Sequence, residues 1–360
     1  MKPTQDVAVF VQVQDSRLFG GGNSALALGT LDGTAKAVDF HQAFFTVSNL
    51  FSSPVSIKIG RQELSYGNER LMGAAGWGNI GRAFDAGVLS YKSGSVDADI
   101  FASKLVGSQA TIVSQNFRGL YSTWKFFAPH LVDAFVLFDD NTDEVRGGPD
   151  ATLKKLQRST AGVLARGKVG QADYEFEAAS QGGATALSDT AARASISAYL
   201  FSGSGGYTFD IDGKPRVAIR YTVLSGDDDK TDNTVRTFNL LFGTNHKFYG
   251  YMDYFPGILP DYGLSFLTFS CGVNVLSNLG VALDFHHFSL DRSAALTIAP
   301  GQTAAKQALG DEIDFTTTLK YNPNVSFVFG LSTFFPGDVV KIVKGGSNSY
   351  WSCIMTSVNF

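Results

Sequence analysis

The chain is short of charge, of cysteine and of long apolar runs, and each shortage removes a class of protein. Charged residues make up 17% of 360, against about 25% in an ordinary soluble domain. Two cysteines cannot build a disulfide framework or a Cys-rich metal site. No window holds the ~18 uninterrupted apolar residues that a membrane-crossing helix needs, so a helical membrane protein is excluded. Lys and Arg number 29 against 33 Asp and Glu, a net charge of −4 with a pI near 5.7. That balance argues against nucleic acid as a partner. Thirty Phe, thirteen Tyr and thirty-nine Gly stand where charge would be, and mean hydropathy is only +0.03. The opening Met1-Lys2-Pro3-Thr4 leads straight into a strand-like pattern without a cleavage region. The chain is therefore expected to be either cytoplasmic or a mature or truncated form, and its remainder decides between them.

What is present is alternation with a period of two. Val7, Val9, Val11 and Val13 oppose Phe10, Gln12 and Gln14; Val96, Ala98, Ile100 and Ala102 oppose Asp97, Asp99, Phe101 and Ser103. Roughly sixteen such segments of about ten residues can be counted, the length of a tilted strand crossing a bilayer in a β-barrel. They lie near 6–17, 38–47, 54–65, 84–92, 95–105, 116–127, 129–140, 158–167, 170–180, 190–202, 215–225, 262–275, 279–290, 310–321, 325–335 and 348–360. Their connections alternate long and short, as in an outer-membrane barrel with long outer loops and short periplasmic turns. Residues 66–83, 141–157, 226–261 and 291–309 are expected on the outer side. Two places fit less well: the turn at 203–214 is long for the periplasmic side, and 151–166 also reads as a helix. A soluble sandwich or solenoid would need more surface Lys and Glu than this chain has. Ile354, Val358 and Phe360 share one side of the last strand, as in the terminal strand of outer-membrane barrels. The expectation is an all-β transmembrane antiparallel barrel, residues 1–360 forming one domain, in the bacterial outer membrane.

The stretches GRQELSYGNERL (60–71) and WGNIGRAFDAGVLSY (77–91) resemble the alginate-export family of outer-membrane porins. So do QDSRLFG at 14–20, YEFEAASQGG at 174–183, SGDDD at 225–229, FGTNHKFYGYMDYF at 242–255 and GDEIDF at 310–315, in one order along most of the chain. The resemblance implies a barrel of about eighteen strands that passes an anionic polysaccharide out of the periplasm. Set against that pattern, the chain is expected to have lost one hairpin before the strand that ends at Gln14, and a signal peptide. Periplasmic export partners, lipid and lipopolysaccharide belong to the same implied setting.

Alternation places Lys58, Arg166, Arg193, Arg220 and Lys320 on the inward set, with Asp97, Asp99, Asp173, Glu175, Glu177, Asp284, Glu312 and Asp314. Acid outnumbers base, a poor match to a simple polyanion conduit, although opposed charged walls would orient small solutes. Arg61, Arg70 and Arg82 with Glu63 and Glu69 lie in and beside the Gly-rich stretch 66–83. Arg61 is grouped with the pore lining, and Arg70 and Arg82 with a loop that folds inward as a constriction; a structural charge network at the rim is the equal alternative. Asp227, Asp228 and Asp229 could hold a divalent cation, but a solvated loop is favoured. His286 and His287 are neighbours in a strand and face opposite ways, so they cannot share one metal ion. Aromatics such as Phe44, Phe45, Trp124, Phe126, Phe127, Phe334, Phe335 and Trp351 sit near strand ends, where interface girdles belong. Cys271 and Cys353 are expected as free thiols, and no cofactor is expected. The leading expectation is a passive channel for a hydrophilic solute, an anionic polysaccharide or organic anion. Its alternatives are a structural or adhesive barrel with partner-binding outer loops and, remotely, a membrane-embedded hydrolase.

Overall fold

The computed structural model describes residues 6–15, 39–78, 80–105, 115–141, 156–186 and 193–360. Seventeen strands run through them in one antiparallel sheet. They are β1 (Val7–Gln14), β2 (Asp39–Val47), β3 (Val55–Gln62), β4 (Phe84–Lys92), β5 (Val96–Leu105), β6 (Gln115–Trp124), β7 (Leu131–Asn141), β8 (Leu156–Val169) and β9 (Ala172–Ala186). After these come β10 (Arg193–Thr208), β11 (Arg216–Leu224), β12 (Thr234–Val235), β13 (Leu264–Leu276), β14 (Leu279–Ala299), β15 (Gln302–Asn322), β16 (Val325–Pro336) and β17 (Ser349–Val358). A six-residue helix, α1 (Asp338–Val343), joins the last two. Each alternating segment of the sequence contains a strand among the described residues, and the additional one, β12, has only two residues.

Three local expectations change. Residues 156–169 are extended throughout: β-branched Thr160 and Val163 favour strand, and Gly162 between them is a poor helix former. The turn at 203–214 shortens, since β10 runs on until Thr208 pairs with Arg216. Residues 291–309 are a hairpin and not a loop: β14 and β15 stay paired from Ala294↔Lys306 to Ala299↔Gln302, around Pro300 and Gly301. Cys271 and Cys353 are free.

The chain divides into two compact units, Met1–Val163 with Gln181–Ile196 and Asn239–Phe248, and Leu164–Ser180 with Ser197–Phe238 and Tyr249–Phe360. In the first, β3 to β7 set Phe84, Val88, Phe101, Phe117, Tyr121, Phe135 and Leu137 on one face, all buried. The other face carries Leu89, Ile100, Leu120 and Val136, paired in that order across four strands and between 38% and 58% exposed. In the second unit the buried face of β11 and β13 to β16 holds Thr222, Phe266, His286, Phe288, Glu312, Asp314 and Phe334. Ile219, Phe269, Leu283, Phe285, Phe315, Phe329 and Leu331 lie opposite and exposed. A bare apolar face of this extent is stable only against an apolar solvent, and the strands cross it without exposing backbone because each is paired. Both units turn an apolar face outward, and polar groups such as Thr222, His286, Glu312 and Asp314 lie on the inner one among aromatics.

Candidate functional site

The buried face of each unit is covered by its own connecting segments. Between β3 and β4 the chain turns back over the sheet, burying Leu64, Leu71 and Met72. Tyr66 stacks on Phe101 and Tyr121, with ring centroids 5.8 and 4.8 Å away. Its hydroxyl donates to Asp99 Oδ2 at 2.9 Å. Burial, together with the Asp99 carboxylate, pushes the Tyr66 phenol well above its ordinary value, so it remains a donor.

A second segment, 239–248, lies along the first like a short extra strand. Gly73 N–H donates to Phe242 O at 3.0 Å, Phe242 N–H to Leu71 O at 3.0 Å, and Thr244 N–H to Glu69 O at 2.9 Å. Phe242 drives between Phe84 and Phe117, at 5.6 and 4.7 Å between centroids. Gln181 of β9 fixes the start of the segment, its amide donating to Asn239 O at 2.7 Å and accepting from Asn239 N–H at 2.9 Å. The Arg82 guanidinium donates to the carbonyls of Gly73, at 3.3 Å, and Phe242. Burial lowers its pKa from the usual arginine value. Arg70 is fully buried with its guanidinium 4.1 Å from the Phe248 ring centroid. Trp77 stacks on His246 at 3.8 Å. Both arginines expected in a constriction therefore lie in a segment folded onto the inner face, where they brace loop backbone and aromatic rings.

In the second unit, residues 249–255 are fastened to β14 and β15. Met252 N–H donates to Glu312 Oε1 at 2.9 Å and Tyr251 N–H to Asp314 Oδ2 at 3.3 Å. His286 Nε2 lies 3.2 Å from that same Asp314 oxygen, and its Nδ1 is 2.9 Å from Thr268 Oγ1. Gly250 has φ +82°, and a Cβ there would stand 2.5 Å from Glu312 Oε1. Only glycine lets the backbone come so close at that φ. Tyr249, Phe255 and Tyr254 then pack on Phe266, Phe288 and Phe334, with centroids 5.5, 4.4 and 4.9 Å apart.

The other expected lining residues fall as follows. Lys58 is on the inner face of β3, Nζ 4.8 Å from the Phe44 ring centroid. Asp97 pairs with Lys125 at 2.7 Å. Arg166, Glu175, Glu177 and Arg220 occupy inner positions of β8, β9 and β11, alternating with exposed Val163, Phe176, Ile219 and Tyr221. Asp284 accepts from the Ser270 hydroxyl. Glu312 and Asp314 are inward but covered, holding 249–255 instead of lining open space. Arg61 differs: it is three residues from Lys58, hence on the opposite face with Ile57 and Ile59, and bonds Asp85 at 2.9 Å. The side chain of Arg193 lies outside the described residues. The buried face of β10 is that of Ala194, Ile196, Ala198 and Leu200, the reverse of the face expected. Asp227 is buried, accepting from the N–H groups of Asp229 and Arg236 at 3.2 and 3.3 Å, while Asp228 is exposed. Asp229 takes two bonds from Thr231, which hold its carboxyl below the usual range. These aspartates shape their own loop, and among the described residues no three His, Cys, Asp or Glu gather as metal ligands.

Two inner ion pairs were not anticipated. Arg158 Nη1 is 2.9 Å from Asp139. Arg216 grips Asp173 with Nη2 at 2.6 Å and Nε at 3.2 Å. The latter spans β10 because Gly206 lies between: a Cβ there would be 2.1 Å from the Arg216 Nη2. The run of glycines at 203, 205 and 206 was the available signal.

Outer-membrane porins of known structure share this fold. Pseudomonas aeruginosa OpdK, solved with vanillate, is 10% identical at TM-score 0.54, over 99% of this chain and 89% of that one. OccK2 (OpdF) of the same organism, solved in complex with glucuronate, is 10% identical at TM-score 0.52, over 90% and 82%. Acinetobacter baumannii OccAB1 is 12% identical at TM-score 0.54, over 91% and 78%. No curated protein sequence matches the chain. Residues 3–353 match the family described as Alginate export.

Proposed function

The chain belongs to the alginate-export family, and on that footing we propose that residues 1–360 form one barrel that passes carboxylate-bearing solutes, polyuronate chains or small organic acids. It is a β-barrel protein of the bacterial outer membrane and a passive channel for hydrophilic solutes. The anion reading is supported chiefly by the inner positions of Arg216 and Arg220, four residues and roughly 13 Å apart on β11. Arg166 holds a further inner position on β8. Guanidinium groups keep their charge and can engage a carboxylate through two parallel bonds, so a ladder of them can hand an anion from one level to the next. Vanillate and glucuronate, found with two porins of this fold, are both carboxylates. Asp173 is bonded to Arg216, and Arg220, opposite Ser204 and Thr268 in the ladder, is the arginine of this face whose charge the selectivity test addresses. The work is conduction and not catalysis, driven by the solute gradient.

Purified protein in a planar bilayer should give stepwise current. Under a salt gradient, Arg220→Gln should move the reversal potential toward cation preference while the barrel stays heat-modifiable on gels. An unshifted potential with a lower folding yield would make Arg220 a wall brace and remove the anion reading. Orientation has its own check. An epitope inserted at Asp228 should be reachable on intact cells and one at Ser93, in the turn between β4 and β5, should not; the opposite labelling would invert the topology.

A further inference from the structure

The outward face of β3 to β7 is not uniform from end to end. At the end that leads into the short turns it presents Val55, Tyr91, Val96, Trp124 and Val132, aligned by Val55↔Tyr91 and Val96↔Trp124↔Val132, without a charge among them. Its middle is the apolar row of Leu89, Ile100, Leu120 and Val136. At the end that leads into the long connections the same face becomes ionic. Arg61, Asp85 and Lys104 are successive cross-strand partners, and Asn116 and Asp140 continue the row. Arg118 stands two residues below Asn116, opposite Ala102 and Phe138.

A cation facing lipid costs about 2–4 kcal/mol at the bilayer midplane and close to nothing at the interface. The ionic row therefore marks where hydrocarbon ends on this wall. The opposite interface, met by the same strands through Tyr91 and Trp124, carries an aromatic rim. Two leaflets of like chemistry would not call for unlike rims. The geometry of the ionic one also suits ligands beyond its own carboxylates. Asp85 takes the Nε and Nη2 donors of Arg61, at 2.9 and 3.4 Å, and Asp140 takes Nη1 of Arg118. An arginine has five N–H donors, so each pair fixes the guanidinium without exhausting it. Arg118 is also 53% exposed, its guanidinium 5.5 Å from the Phe138 ring centroid, which holds it flat at the edge of the apolar band. Arginine donors in a fork match phosphate oxygens in the way they match carboxylates.

We propose that the outward row of Arg61, Lys104 and Arg118 docks the phosphate groups of the glycolipid in the outer leaflet. Three cations on β3, β5 and β6 form one binding edge, with Asp85 of β4 between the first two, and Asp39, Asp85 and Asp140 ion-pair with its arginines. The row lies on the wall opposite Lys58 and the inner ion pairs, so lipid docking and solute passage use different faces.

The test uses the full chain in detergent micelles, with fluorescent bisphosphorylated lipid A and its dephosphorylated counterpart as probes. Arg61→Gln/Lys104→Gln/Arg118→Gln should weaken binding of the phosphorylated probe by roughly 100-fold, each cation near a charged lipid surface being worth a factor of roughly five. The dephosphorylated probe should bind wild type and variant alike. Should orphaned carboxylates keep the triple variant from folding, Arg61→Gln/Asp85→Asn/Lys104→Gln/Arg118→Gln/Asp140→Asn removes both members of each pair together with Lys104 and should still lose roughly fivefold, the factor of the one net cation removed. Equal affinity of wild type and folded variant, or no preference of wild type for the phosphorylated probe, overturns the proposal. Conductance of the variants should match wild type, so a failure here is distinct from a failure of the channel reading.

Discussion

Phe242→Ala should release the 239–248 segment from the sheet and leave the strands beneath intact. Phe242 is wedged between Phe84 and Phe117, and truncating a buried phenylalanine costs about 3–5 kcal/mol. Most of that cost falls on a segment whose other anchors are backbone bonds to residues 69–73, Gln181, Arg82 on the Phe242 carbonyl, and the Arg70–Phe248 and Trp77–His246 ring contacts. Amide exchange at Gly73, residue 242 and Thr244 should therefore speed up by at least roughly 100-fold, the factor that about 3 kcal/mol commands. The ladder amides of Leu89 and Ile100 should exchange as before. Single-channel current should become larger or noisier, because a segment packed on the inner face would now visit the conducting path. If those three amides stay as protected as in the wild type, the wedge is not what holds the segment.

Gly250→Val should have the second large effect, by a different route. The side chain would be forced into a left-handed backbone at φ +82° while its Cβ stood 2.5 Å from the Glu312 carboxylate. A branched residue tolerates neither, so the 249–255 turn must rise from β15 and carry Met252 away from its acceptor. Glu312→Ala tests the same contact from the sheet side. Leaving the Met252 N–H without its acceptor costs about 1–3 kcal/mol, so Met252 amide exchange should rise by roughly 5- to 100-fold. Glu312→Gln keeps an acceptor oxygen in place and should change it far less. A Gln variant as labile as the Ala variant would mean that the bond this side chain accepts is not what secures the turn.

The strands were legible because one solvent is apolar and the other aqueous, so a strict period of two is imposed along each. β5 shows this plainly: Ile100 and Asp99 could not exchange faces. The rule misread β10, where Ala194, Ile196 and Ala198 pack inward and Ser195 and Ser197 face out; small hydroxyls tolerate either environment and do not vote. It was set aside at Arg61, which was grouped by proximity to Arg70 and Arg82 although Lys58, three residues earlier, fixed the opposite parity. The covering segments were only half legible. Glycine and charge in 66–83 suggested an inward fold, but 226–261 was read as an outer loop throughout. Its composition also calls for a part that folds inward, since Phe238, Phe242, Phe248, Tyr249 and Phe255 are more aromatic surface than a solvated loop can leave wet. What no pattern could give was the pairing across strands. Asp173 reaches Arg216 only because Gly206 between them lacks a side chain.

The paired stretch from Ala294 to Lys306 extends past the last partners its strands have on either side, Ser289 with β13 and Gly310 with β16. A ribbon with two bare margins is an invitation to add a foreign strand, and this one reads Ala-Ala-Leu-Thr-Ile-Ala up to its tip, with no charge to discourage it. The safeguards lie at its foot. The register breaks between Ser289 and Ala294, where extra residues skew the ribbon. Helix α1 closes the approach from one flank with Val339 and Val340 buried, and Asp338 ties down Lys306 at 2.7 Å. A helix of six residues contributes little to the barrel it follows. It stands as a doorstop against one margin of the ribbon, held there by its buried Val339 and Val340 and by the Asp338–Lys306 pair.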